Sequence, residues 1–266
     1  MLHRAHPEGI IVVGQAAHAR LVGVVARAWG RPPFALPPCM DETLLAAEQH
    51  ELGMLPWEIA PTLNPATGWP HAYIELSRTE HLALWRDAGP LMRTQSRYAA
   101  LLVSRHGVWI FSQYERQPEE PAERVAVAAY LRRERAFQAR LRASLADEPE
   151  YREAILLPTL RRSHSLFTVW DRIAVHACYG VPVPAWGVPA VYRWDRVPTA
   201  SGDTGMTIAW AAPDRWTLDP WPFVAGEVRL RGEGRLLRER FTDQAMMRGA
   251  FDHAPWVRWE AVISHR

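Results

Sequence analysis

Residues 163–179 read SHSLFTVWDRIAVHACY, a helical stretch that Gly180 and Pro182 bring to an end. The chain changes character at that point. Before it, apolar residues recur at helical spacing. After it come prolines, glycines and short apolar runs of strand type.

Working back, residues 150–160 read as a further helical stretch, and residues 121–145 as a long helix begun by Pro121. Val125, Ala128, Ala129, Phe137 and Leu141 mark the apolar side of that long helix, with arginines opposite. Residues 97–106 (RYAALLVSRH) form another helix. One more is capped at Thr79 and carries His81, Leu84 and Trp85. Asp41 is the expected cap of a helix over residues 42–52, stopped by Gly53. Residues 9–14 (GIIVVG) read as a short buried strand leading into a helix over residues 15–29. Residues 56–70 lack periodicity, but Trp57 and Trp69 ask for burial.

Working forward, residues 182–198 read as a proline-rich connection. Strands are expected over 206–210, 224–230, 235–240 and 256–263, with a short helix over 241–251. Gly232-Glu233-Gly234 reads as the turn of a hairpin. The expected fold is therefore mainly α: a helical bundle over residues 1–181, with a small mixed α+β, β-rich appendage over 182–266 packed on it. Trp186, Trp194, Trp210, Trp216, Trp221, Trp256 and Trp259 lie in the appendage, as its core or as an interface.

Composition narrows the function. The 266 residues are 48% hydrophobic and 23% charged, which excludes a disordered, collagen-like or coiled-coil chain. Cys39 and Cys178 are too few for a disulfide scaffold. No apolar run is long enough for a membrane helix and no signal peptide is read, so no membrane and a cytoplasmic location are expected. A net charge of +2 argues against nucleic acid as a partner. The chain has no lysine, which excludes Schiff-base chemistry and a Walker-type phosphate loop.

The histidines carry the chemistry. His18, the pair His50-Glu51, His81, His106 and Asp171 each lie on, or at the end of, a separate helix. A bundle can turn such residues into one central pocket. Imidazole with carboxylate suits iron, manganese, zinc or nickel, as one or two divalent ions. Any single histidine is more often a satisfied core or surface residue than a ligand, and no HExxH or CxxC signature tightens the set. His71 competes with His81, whose helical surroundings favour it. His164 shares a helix face with Asp171 and can touch substrate or support a ligand. Gln15 is a candidate for the pocket wall. Arg105, beside His106, is a candidate for phosphate contact. His176 lies on a different face from Asp171 and reads as core or interface. Cys178 and Ser104 lack the setting of a nucleophile.

The order His, His-acid, His, His, Asp along successive helices resembles the HD-domain superfamily of metal-dependent phosphohydrolases. More narrowly, VVGQAAHARLVGVVARAWG, LLAAEQHELGMLPWE, PATGWP, YAALLVSRHG and FTVWDRIAVHACYG resemble the bacterial family called domain of unknown function 3891. The resemblance implies an HD-like bundle with His18, His50, Glu51, His81, His106 and Asp171 as metal ligands. Glu51 departs from the superfamily's His-Asp pair and is one methylene longer. The expected activity is a hydrolase of a small phosphate ester or nucleotide using metal-activated water, with His164 as proton donor and Arg105 on the phosphoryl oxygens. An HD-type di-iron oxygenase and a catalytically degenerate ligand- or partner-binding protein are the alternatives. The expected partner is a phosphorylated small molecule, and a homo-oligomer is left open.

Overall fold

A computed structural model describes residues 1–113, 120–180, 191–212 and 214–266. Two short strands, β1 (Leu2–His6) and β2 (Gly9–Val13), form a hairpin ahead of helix α1 (Gln15–Ala28). Six helices follow: α2 (Met40–Gln49), α3 (Leu55–Ile59), α4 (Arg78–Arg93), α5 (Arg97–Ser112), α6 (Pro121–Leu145) and α7 (Leu157–Tyr179). The remainder is β3 (Val191–Thr199), β4 (Gly202–Ala212), β5 (Arg215–Asp219), β6 (Glu227–Leu237), helix α8 (Gln244–His253) and β7 (Trp256–His265).

All seven strands belong to one sheet, in the order β1-β2-β6-β7-β5-β4-β3. Among the described strands, only the β5–β7 pair is parallel. This corrects the expected fold. Of the described residues about 51% are helical and 24% lie in strands, and the sheet curls into a half-barrel, so this is not a purely helical HD-like bundle with a small C-terminal region. The N-terminal hairpin is part of the same sheet, because Ile10, Ile11 and Val12 of β2 pair with Leu237, Leu236 and Arg235 of β6.

The reason lies in the side chains. Along β6 the residues alternate strictly between buried and exposed as far as Arg235. Val228, Leu230 and Leu236 point to the core, while Glu227, Arg229 and Arg231 face solvent. Gly232 and Gly234 hold inward positions of this continuous strand and make no hairpin turn. A Cβ on Gly232 would collide with the Trp259 indole, and one on Gly234 would press on Ile11 and the Val12 carbonyl. These glycines allow close approach to the neighbouring strands, which any side chain there would prevent.

Two apolar clusters make the core. In the first, Val22 and Val25 of α1, Trp29 just beyond it, and Trp170 and Ile173 of α7 pack against the sheet residues Ile208, Trp216, Leu230 and Ile263. In the second, α4, α5 and α6 pack Leu82, Trp85, Leu102, Leu131 and Phe137 together. α1 and α7 thus lie between the sheet and the remaining helices.

Smaller differences follow the same logic. α6 runs from Pro121 to Leu145 as expected, although Val125 faces solvent. Ser77, not Thr79, caps α4; its hydroxyl accepts from the Glu80 N–H while Glu80 bonds back to the Ser77 N–H. α7 starts at Leu157 and absorbs what was read as the end of a separate helix. Trp194, Trp216, Trp221 and Trp259 are core residues, whereas Trp256 is exposed beneath Arg235. Trp186 and positions 182–190 of the expected connection lie outside the described residues.

Candidate metal centre

His18 projects from α1, His106 from α5 and Asp171 from α7. His50 and Glu51 follow the last residue of α2. The ending of that helix is what makes the pair usable. Adjacent residues within a helix diverge by about 100°. Here the helix stops at Gln49, and Glu51 leaves helical geometry at φ −94°, ψ 14°. Both side chains therefore reach the same space.

Asp171 is the hub. Its Oδ1 lies 2.8 Å from His18 Nε2 and 3.6 Å from His50 Nε2, and its Oδ2 is 3.7 Å from His106 Nε2. Glu51 Oε1 is 3.3 Å from His50 Nε2. His18, His50 and Glu51 form one triad of ligand atoms within 4.8 Å of one another; His50, His106 and Asp171 form another. The two triads share His50.

The group is buried, and its polar atoms are not all paired. His50 Nδ1 is 3.0 Å from the Ala47 carbonyl, the outer contact that orients a ligating imidazole and leaves Nε2 facing inward. Among the described residues, His50 Nε2, Glu51 Oε2, His18 Nδ1 and His106 Nδ1 have no hydrogen-bond partner. Each such atom costs about 1–3 kcal/mol if nothing satisfies it. Two bare ligand atoms amid three imidazoles and two carboxylates fit a divalent transition ion better than calcium.

The electrostatics divides: ionised carboxylates and a neutral His106 suit a cation, whereas the upward shift of His50 favours a protonated ring that must lose its proton to ligate. Burial raises the Asp171 carboxyl, but the His18 hydrogen bond and the surrounding imidazoles outweigh it and hold the group ionised. Burial likewise opposes charge on Glu51 and His50, yet each favours the charged form of the other, so Glu51 shifts down and His50 up. Burial pushes His106 down to about 4, leaving it neutral and able to ligate.

This cluster borders a cavity of about 510 Å³. His18, Glu51, His106 and Asp171 line it, with Gln15 and His81 as well. His81 belongs to the wall: Trp85 Nε1 donates to its Nε2 at 3.1 Å, and it is in neither triad. The remaining expectations separate. His164 packs behind His106, ring centroids 5.6 Å apart, and does not line the cavity. Arg105 does not line it either; its charged neighbours are Arg161 and Arg142. His71 is hydrogen-bonded with Thr62 at 3.0 Å, away from both triads.

Sequence reasoning missed Arg172, His176 and Tyr192, which all line the cavity. The wall uses Asp171, Arg172, Val175 and His176, an arc of about 140° on α7 at 100° per residue. His176 therefore reaches the cavity although it is off the Asp171 face. Tyr192 comes from β3, a strand without a strong sequence signal.

The family model described as a protein of unknown function (DUF3891) matches residues 1–239. No curated protein and no solved structure matches the chain.

Proposed function

The chain belongs to the DUF3891 family, and for it we propose a metal-dependent hydrolase acting on a small phosphate ester or nucleotide. One observation carries this reading: His18, Glu51, His106 and Asp171 converge at the cavity with His50 beside them, and Glu51 Oε2 is buried with no hydrogen-bond partner among the described residues. The ligand order resembles that of the HD-domain phosphohydrolases, and the analogy extends to chemistry and not to fold. A bound divalent ion supplies Lewis acidity and lowers the pKa of water.

The chain's own residues do the rest. The Ala47 carbonyl fixes the tautomer of His50 by taking its Nδ1 proton in a hydrogen bond. Asp171 orients His18 through the 2.8 Å contact. Trp85, Trp109, Ile110 and Val175 line the cavity and limit water there, which strengthens every charge interaction inside it.

The test is elemental analysis of purified protein beside His50→Ala, followed by phosphate release from a panel of phosphomonoesters. About one or two equivalents of a transition metal, lost in the variant, with metal-dependent phosphate release, is the expected result. Iron with a visible absorbance and no phosphate release favours the oxygenase. No metal after supply of iron, manganese and zinc overturns the catalytic reading and leaves a binding protein.

A further inference from the structure

Among the described residues, Arg172 is the arginine that lines the cavity, one residue beyond Asp171. Its Nη1 donates to the Tyr192 hydroxyl at 2.8 Å, and its guanidinium lies 5.4 Å from the centroid of the Trp109 ring. Among the described residues it has no carboxylate partner. A guanidinium has five N–H donors in a planar fork, and one of them is used here. Tyr192 accepts from Arg172 and keeps its own hydroxyl hydrogen to donate. Arg172 is thus held from two sides, on Trp109 of α5 and Tyr192 of β3, with no other hydrogen bond among the described residues.

A fork held this way suits the paired oxygens of an oxyanion. Beside the polar Asp171, His176 and Gln113, the apolar Trp109, Ile110 and Val175 line the same cavity. These offer surface to a flat, uncharged body attached to the anion. We propose that Arg172, supported by Tyr192, is the oxyanion-binding residue of this cavity, and that its ligand is a phosphate monoester with an aromatic or otherwise flat apolar body. The choice of phosphate rests on the hydrolase reading above; the role of Arg172 rests on its own geometry. The phosphate contact anticipated for Arg105 passes to Arg172.

The experiment is calorimetric titration of metal-supplemented protein with phenylphosphonate, which has no ester bond to hydrolyse, and with inorganic phosphate. Wild type, Arg172→Gln, Arg172→Lys and Tyr192→Phe are compared, with metal content measured in each. Phenylphosphonate should bind at least about tenfold tighter than inorganic phosphate, from ring burial. Arg172→Gln should weaken it by about tenfold or more with metal content unchanged, and Arg172→Lys by less than Gln but clearly, because lysine keeps the charge and loses the fork. Tyr192→Phe should cost about threefold, as one supporting hydrogen bond is lost. If Arg172→Gln does not fold, the lysine and phenylalanine variants carry the comparison.

Binding unchanged within about twofold in the arginine variants overturns the role of Arg172. Absence of phenylphosphonate binding by wild type overturns it too, and equal affinity for the two probes overturns the apolar body. Absence of metal from wild type is a separate result. It defeats the metal reading while the arginine comparison still reads the oxyanion site.

Discussion

At the scale of single residues, Glu51 is the informative position. Its extra methylene, relative to aspartate, fits a pair that follows the end of α2, where the backbone has left the helix. Glu51→Asp should therefore weaken metal binding by about tenfold or more, although it restores the His-Asp pattern, because the carboxylate falls short of His50 Nε2. Competition with a chelator measures this, and an aspartate variant that binds as tightly as wild type would refute it. The candidate ligands were legible because each is a polar residue in, or just past the end of, a well-patterned helix. Arg172 and His176 were not, because a wide cavity takes more of α7 than a single face. His176 also predicts a pH dependence. Burial pushes it down to about 4, whereas an unfolded histidine titrates near 6.5. Between these values the unfolded chain holds more protons, so stability rises with pH. This contribution, on the order of 3 kcal/mol, is fully present above pH ~6.5 and is lost as pH falls towards ~4. His176→Leu should lose about one proton from the slope of unfolding free energy against pH in that window. Urea titrations across the window measure it, and an unchanged slope would count against the burial account.

At the scale of elements, β6 tests the role of its glycines. Gly232→Val drives a side chain into the Trp259 indole and should destabilise by about 1–3 kcal/mol. Gly226→Ala, with nothing within 4 Å of its Cβ, serves as control. Combining Gly232→Val with Trp259→Ala should cost less than the sum of the two, since the clash disappears with the ring. Thermal melts of the four chains decide this, and strict additivity would mean the indole is not the obstacle. The same strand explains part of what the sequence concealed. Glycines flanking Glu233 carry a hairpin signal, and only the neighbouring strands reveal them as clearance, Gly232 for Trp259 of β7 and Gly234 for Ile11 and Val12 of β2. β1 was hidden because it places Arg4 at a buried position, where it bonds the Ala177 carbonyl and pairs with Asp214. β3 was hidden by its charges and Pro198. Ser77-Arg78-Thr79-Glu80 did carry the capping-box spacing, so the start of α4 was readable and was placed two residues late.

At the scale of the whole molecule, the sheet and the site are one structural problem. α1 and α7, which carry His18 and Asp171, bury Val22, Val25, Trp29, Trp170 and Ile173 against strands from the far end of the chain. β2 pairs with β6 along one edge, and Arg4 ties β1 to the end of α7 and to Asp214. Residues 1–180 alone would keep all the candidate ligands but expose those apolar faces and the edge of β2 to water. Burying one large apolar side chain contributes about 1.5–3 kcal/mol, so five uncovered together are comparable to a whole margin of stability of about 5–15 kcal/mol. The truncated chain should therefore keep helical far-UV signal, lose near-UV signal, bind a hydrophobic dye and unfold without a cooperative transition. It should also lose metal, because the 2.8 Å contact between His18 and Asp171 depends on how α1 and α7 are seated on the sheet. A truncated chain that melts cooperatively and retains its metal would show instead that the helical ligand cluster is self-sufficient, with the strands only supplying Tyr192 to its cavity.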